Sequence, residues 1–183
     1  MGKIEDIITS IKSSQKTNNY FASFTSSLVL IDICSALEYK NINKQSNERY
    51  KLWIENFLLN GTFFSADEYL DASNIWHLRC ALLHEGSANP NTQKSYSKWA
   101  NKKVDDIVPV SDLGSPKKIF SAKYDGETIL FFDINYFVDG IIKAVENWKE
   151  SSPKYNQESE KKIFSIAHSF CKDDGKMRIM RKQ

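Results

Sequence analysis

The stretch that decides the fold is SADEYLDASNIWHLRCALLHEG, residues 65–86. Its first four residues match a capping box, in which Ser65 and Glu68 would satisfy each other's backbone N–H groups and begin a helix. Apolar residues then recur at helical spacing, and Gly86 is suited to ending the helix; these residues are Leu70, Ile75, Leu78, Leu82 and Leu83. The stretch therefore predicts an amphipathic helix that runs from Ser65 to His84.

The same periodicity predicts further helices on both sides of this one. Residues 3–15, 20–40 and about 50–58 precede it, and residues 133–151 and 156–171 follow it. The pair Asp125-Gly126, between two apolar runs, predicts a β-hairpin, and the aperiodic residues 87–117 predict a loop. The fold predicted from these patterns is all-α, an antiparallel up-and-down helical bundle with a small β-hairpin insertion.

The 183 residues are enough for one domain with a substantial core. We predict a single helical domain over residues 1–172, with residues 87–132 as a loop and β-hairpin insertion. Residues 173–183 form a basic C-terminal tail, whose composition favours a solvated terminus over a phosphate-binding segment. The basic residues of the tail are Lys176, Arg178, Arg181 and Lys182.

The composition excludes some classes of protein. A formal net charge of +2 is too small to indicate a nucleic-acid partner, and 41% hydrophobic residues argue against disorder. The odd set of cysteines (Cys34, Cys80 and Cys171), each in a predicted helix, indicates reduced thiols in the cytoplasm. No apolar run approaches the roughly 20 residues of a membrane-spanning helix, so we expect no membrane partner.

Arg79 and His84 are the strongest candidates for catalytic residues. Arginine keeps its charge at any physiological pH, whereas histidine titrates near neutrality, so the pair suits proton transfer and charge stabilisation on a phosphodiester. Five residues at about 100° each place the two side chains about 140° apart around an ideal helix. We therefore expect a joint site only if the helix end opens or a second copy adds its pair across a two-fold axis. The structural alternative is that both cations stabilise the helix C-terminus.

The block Ile75–Ser87 resembles the motif helix of the HEPN superfamily, whose signature is Arg-x4–6-His. Residues 30–38 and 144–148 fit the same pattern more loosely. The resemblance implies a small helical protein that is a homodimer, in which two Arg–His pairs form one composite site in a cleft. It also implies metal-independent cleavage of RNA by a ribose 2′-hydroxyl, which leaves a cyclic phosphate and a free 5′-hydroxyl, without a cofactor.

By position in this motif, His84 is the general base or acid, and Arg79 orients and stabilises the phosphate. Family members serve in defence or stress responses, and an antitoxin or a regulatory protein is a further partner that the resemblance implies. The chain departs from the pattern at Cys80, where the family often has a polar residue. Gly86 stands where one toxin subgroup carries a tyrosine, which argues against the antitoxin system that modifies that tyrosine.

Two carboxylates and the thiol of Cys80 are candidate supporting residues. Asp32 lies in an apolar predicted helix, where an ionised carboxylate needs a partner. It either holds Arg79 in the site, or it makes a local polar contact or faces the solvent edge of the helix. Glu85, next to His84, is either a supporting residue or a solvated one.

A zinc site is one alternative to the nuclease. Cysteine and histidine side chains at helical spacing can bind zinc, although the usual paired Cys-x2-Cys motifs are missing from the sequence. The residues of this alternative are His77, Cys80, His84, His168 and Cys171.

A helical dimer that catalyses no reaction is also compatible with the sequence. It could be a non-catalytic HEPN-like module that binds a protein partner or regulates one. It could instead bind a nucleotide without cleaving it, with aromatic side chains stacked on the base; the candidate side chains are Trp76, Tyr96 and Trp99, which are otherwise core or exposed residues.

Overall fold

The computed structural model describes residues 2–61, 63–64, 67–96, 102–156, 160–161 and 163, and the backbone of residues 169–173 and 176–180. Helices are combined with a three-stranded mixed sheet, so the fold is mixed α/β and the all-α prediction is wrong. The error has one main source, which is a strand inside the segment predicted to be a loop.

The predicted helices before residue 90 are present, with changed boundaries. They are α1 (Lys3–Lys16), α2 (Tyr20–Glu38), α3 (Ser46–Trp53) and α4 (Ala72–Glu85). A π-helical segment, Ile54–Leu59, continues α3 up to Asn60. A 3-10 turn, Pro90–Thr92, follows α4. The fifth predicted helix, α5 (Ile134–Ser151), begins as expected at Asp133, whose side chain accepts a hydrogen bond from the backbone N–H of Tyr136 at 3.0 Å.

The beginning of α4 differs from the prediction. Asp71 caps this helix by accepting the backbone N–H of Asn74 at 2.7 Å. Glu68 lies before the helix and pairs with Lys102 at 2.7 Å, while Ser65 lies outside the described residues. The predicted end is confirmed: Gly86 has a φ of 66°, and the N–H groups of Gly86 and Ser87 return to the carbonyl groups of Leu82 and Ala81.

The sheet contains the strands β1 (Asp106–Val110), β2 (Ile119–Tyr124) and β3 (Glu127–Asp133), in the order β1-β3-β2. The predicted hairpin is confirmed as the antiparallel pair of β2 and β3, and Asp125 and Gly126 have the positive φ angles of a type I′ turn. Strand β1 pairs with β3 in parallel, which the sequence did not predict.

This sheet is part of the hydrophobic core. Four of its apolar side chains are buried: Ile107, Ile119, Leu130 and Phe132. The ring of Phe132 lies 5.4 Å from that of Phe24 on α2 and 4.7 Å from that of Phe137 on α5. The hairpin is therefore packed between the helices rather than appended to them.

Tyr96 anchors the insertion to α4. Its side chain is fully buried, and its hydroxyl donates to Asn74 Oδ1 and accepts the backbone N–H of Val104, both at 2.8 Å. Asn74 Nδ2 in turn donates to the carbonyl group of Lys102 at 3.0 Å. The insertion is thus fixed on both sides of residues 97–101, which lie outside the described residues.

The last predicted helix, residues 156–171, is wrong at its C-terminal end. Ser169–Asp173 forms strand β4, which pairs with β5 (Lys176–Met180) in an antiparallel hairpin. Cys171 therefore lies in a strand and not in a helix. Within the rest of this predicted helix, residues 157–159, 162 and 164–168 lie outside the described residues.

Helix α2 is the central helix, and it contacts α1, α3, α4 and α5. By length and composition, α2 could cross a membrane. This finding is contrary to the prediction that no apolar run is long enough. Within the chain, 44% of the apolar stretch of α2 is buried. This property is weak evidence for a membrane, because the core helix of a soluble protein has the same composition.

Candidate active site

Arg79 and His84 come together within one chain. Arg79 is half-buried and His84 is exposed, both near the C-terminal end of α4, and Arg79 Nη1 lies 3.4 Å from His84 Nε2. The expectation that they meet only through helix opening or a second copy is therefore wrong. The arginine side chain is long enough to bridge the angle of about 140° that separates the two positions on the helix.

The contact brings together two groups with different chemistry. A guanidinium group has only N–H donors and keeps its charge, whereas an imidazole nitrogen accepts a hydrogen bond in one tautomer and donates in the other. With 3.4 Å between the two nitrogens, a group that can stabilise negative charge lies beside a group that can transfer a proton.

Asp32 fixes the guanidinium from the opposite side. Arg79 Nε and Nη2 lie 2.8 and 2.7 Å from the same oxygen, Asp32 Oδ2, and the side chains are 19% and 26% exposed. Burial raises the pKa of the Asp32 carboxyl, and the Arg79 charge opposes that rise. Of the two roles considered for Asp32, the structure therefore places it in direct contact with Arg79.

Trp76 supports the flat face of the same guanidinium group. Arg79 Cζ lies 5.3 Å from the centroid of the Trp76 ring, at a distance typical of a cation–π contact. The buried Tyr50 ring packs edge-on against Trp76 at 5.1 Å. We did not predict this role for Trp76, although its position three residues before Arg79 on one helix face is a signal for it.

Cys80 and Glu85, the other candidate supporting residues, have different contacts. Cys80 is buried, and burial raises the pKa of its thiol while Arg79 opposes the rise. Glu85 is exposed, and its carboxylate accepts a hydrogen bond from Gln93 Nε2 at 2.7 Å. The observed contact of Glu85 is therefore with the insertion, whereas Cys80 lies beside Arg79.

His77 faces away from this pair and holds the insertion. Its Nδ1 donates to the carbonyl group of Ser73 at 2.7 Å, its Nε2 lies 3.4 Å from Ser95 Oγ, and its ring packs edge-on against Tyr96. Across the described residues, no group of three or more His, Cys, Asp or Glu is placed to hold a metal ion. His168 and the side chain of Cys171 lie outside those residues.

The aromatic residues considered for base stacking also differ in position. Tyr96 is fully buried, and Trp76 is half-buried beneath Arg79. Trp99 lies outside the described residues. Tyr96 is therefore a core residue and has no free face for a base.

We expect the stability of the protein to fall at mildly acidic pH because of His77. Burial lowers the pKa of His77, and Lys51 lowers it further, while the Ser73 carbonyl group and Asp71 oppose the shift. The unfolded chain therefore binds a proton at a higher pH than the folded chain, so the stabilisation is complete above about pH 6.5 and is lost as the pH falls below it.

The measurement is urea unfolding between pH 5 and pH 8. For this single group the free energy of unfolding falls by at most about 1.4 kcal/mol per pH unit below the unfolded pKa. His77→Gln should make the free energy of unfolding depend less on pH in this range. A variant with the same slope as the wild type would show that His77 is not the responsible group.

Comparison of the chain with models of known families, with curated proteins and with solved structures finds no match.

Proposed function

We propose that this protein is a metal-independent endoribonuclease of the HEPN type, with Arg79 and His84 as its catalytic residues. The observation that carries the proposal is the 3.4 Å contact between Arg79 Nη1 and an exposed His84 Nε2. The pair combines a fixed cation with an imidazole ring that is exposed at the protein surface. This is the combination that phosphodiester transesterification uses.

In the proposed reaction, His84 removes the proton of a ribose 2′-hydroxyl. The 2′-oxygen then forms a bond to phosphorus, and the bond from phosphorus to the 5′-oxygen breaks. Arg79 Nη1 stabilises the negative charge that develops on the non-bridging oxygens. The products are a 2′,3′-cyclic phosphate and a 5′-hydroxyl, and the leaving oxygen takes a proton from a second acid.

The source of that second proton favours a homodimer. Among the histidines that the structure describes, His77 is buried against Ser73 and Ser95, which leaves His84 alone at the site. A second copy would supply a second His84 across a two-fold axis, and one histidine would then act as base while the other acts as acid. The composite site of the family resemblance has this arrangement.

An apolar groove next to the site supports this dimer. It has a volume of about 470 Å³ and lies where α1, α2 and α4 meet, with Leu83 contributed from the turn that carries His84. On α2, Val29 is 38% exposed and Phe21 is 65% exposed. The residues that line the groove are Ile7, Ser10, Thr25, Ser26, Val29, Ile33, Leu83 and Ile163.

The test is incubation of the purified protein with a mixed RNA pool in EDTA. We expect cleavage with cyclic phosphate ends, and we expect none from a variant that carries both Arg79→Ala and His84→Ala. Lys143→Ala is the matched control, because it removes a positive charge from an exposed position on a different helix, α5. Cleavage that persists in the double variant would contradict the proposal.

The second candidate is a non-catalytic dimeric module that binds a nucleotide or a protein, such as an antitoxin or a regulatory protein. The observation in its favour is that Asp32 and Trp76 already account for the position of Arg79 without any substrate. A folded dimer that cleaves no RNA would support this candidate. For either function we propose a cytoplasmic location, and for the nuclease a role in defence or stress response.

A further inference from the structure

Asp32 neutralises the cation of the candidate site before any ligand arrives. Two N–H groups of Arg79 donate to Asp32 Oδ2, at 2.8 and 2.7 Å, and about three quarters or more of each side chain is buried. The contacts leave Nη1 of the guanidinium directed towards His84. The donor for a phosphate oxygen is thus available, while the formal charges of the arginine and its partner sum to zero.

We propose that Asp32 sets the charge selectivity of this site by cancelling most of the advantage that a terminal phosphate with two negative charges would have over a phosphate group with one. The proposal rests on the proposed function for the place where the phosphate binds. It does not require that the bound phosphate be cleaved.

The reason is the balance of Coulomb interactions. A lone arginine attracts a dianion about twice as strongly as a monoanion at the same distance. The Asp32 carboxylate, behind the guanidinium, repels the dianion twice as strongly as the monoanion, and its partial burial reduces the screening by water. The second negative charge of the dianion therefore adds little to its binding free energy, whereas the hydrogen bond from Nη1 is available to both ligands.

The ligands with a single negative charge are phosphodiesters. An internal linkage of RNA has one negative charge, as does a 2′,3′-cyclic phosphate. A terminal phosphate has a second pKa near 6 and is a dianion at pH 8. The extra charge of nucleoside monophosphates and triphosphates therefore adds little to their binding, which separates this site from one that selects nucleotides by their terminal phosphate.

The test compares two ligands that differ by one methyl group. A 2′-deoxynucleoside 3′-(methyl phosphate) is a diester that the protein cannot cleave, and the 3′-monophosphate of the same nucleoside is a dianion. Both are titrated at pH 8 and at one ionic strength by calorimetry into wild type, Asp32→Asn, Asp32→Glu and Arg79→Ala. RNA cleavage by the same preparations is measured in parallel.

For the wild type and for Asp32→Glu, we expect the diester to bind about as tightly as the monoester. For Asp32→Asn, which removes the charge and keeps the size, the monoester should gain about tenfold relative to the diester. Arg79→Ala should weaken both ligands. Should Asp32→Asn not fold, the wild-type ratio decides the matter.

A wild type that binds the monoester about tenfold more tightly would overturn the inference, and so would an unchanged ratio in a folded Asp32→Asn variant. Binding that does not depend on Arg79 would also overturn it. Comparable binding of the two ligands by the wild type without any RNA cleavage would support the charge selectivity and would remove only the nuclease.

Discussion

His84→Ala is expected to lower the rate of metal-independent RNA cleavage by about 10²–10⁴-fold, the range for the loss of a general acid or base. The effect should fall on kcat, because Arg79, which we propose contacts the phosphate, remains held by Asp32 and Trp76. The measurement is single-turnover cleavage of one RNA oligonucleotide in EDTA, with circular dichroism and sedimentation to show that the fold and the oligomeric state are unchanged.

Two further variants separate chemistry from structure at this site. Imidazole added to His84→Ala should restore part of the rate, because it returns the base without returning the side chain. Arg79→Lys keeps the charge but loses the forked contact with Asp32, so we expect its rate to fall too. A His84→Ala rate within a few-fold of the wild-type rate would exclude His84 from the reaction.

Trp148→Ala is expected to lower the free energy of unfolding by about 4 kcal/mol, within the range for removing a large buried aromatic side chain. The Trp148 ring is fully buried, packs edge-on against Trp53 at 6.4 Å, and lies 5.3 Å from the Tyr155 ring. Its Nε1 donates to Glu38 Oε2 at 2.8 Å, so the substitution also removes a hydrogen bond from a buried carboxylate.

Urea unfolding followed by circular dichroism measures this difference. Phe21→Ala is the matched control, because it removes an aromatic ring that is 65% exposed in the single chain. Under conditions where the protein is monomeric, its effect should stay within about 0.5 kcal/mol. If the two variants lost similar stability, Trp148 would not be the core residue that its burial indicates.

The parts of the fold that local chemistry determines could be predicted from the sequence. Asp133 begins α5 and Gly86 ends α4, as we predicted, because a side-chain cap and a positive φ are properties of a few neighbouring residues. The Asp125-Gly126 turn could be predicted for the same reason. The cap of α4 was misassigned because Ser65 and Asp71 both precede the apolar residues at suitable positions.

Strand β1 could not be predicted in this way. Its five residues contain Pro109, which lacks a backbone N–H and argues against a strand inside a sheet. It forms because Ile107 and its neighbours pair in parallel with β3, more than 20 residues away along the chain. Neither composition nor periodicity indicates a pairing strand so far along the chain. The strand was therefore missed, and the predicted fold class was wrong.

The contacts of Arg79 could be predicted only in part. The motif singled out Arg79 and His84 as candidate residues, and contact with Arg79 was one of the alternatives for Asp32. The structure places Arg79 in direct contact with Asp32 and His84. The angle on an ideal helix misled us, because it describes backbone positions and ignores the reach of an arginine side chain. The role of Trp76 was recognised only from the structure, in which its ring lies against the guanidinium group of Arg79.

The first turn of α1 depends on a residue near the other end of the chain. The backbone N–H of Lys3 donates to the buried carboxylate of Glu160 at 2.6 Å, and Lys12 on the same helix pairs with Glu146 at 3.4 Å. During synthesis on the ribosome, α1 can pack on α2 at once, but its first turn has no such cap until residue 160 has emerged from the exit tunnel. This turn of α1 therefore gains its cap only after residue 160 has been synthesised, and until then it is open to chaperones and proteases.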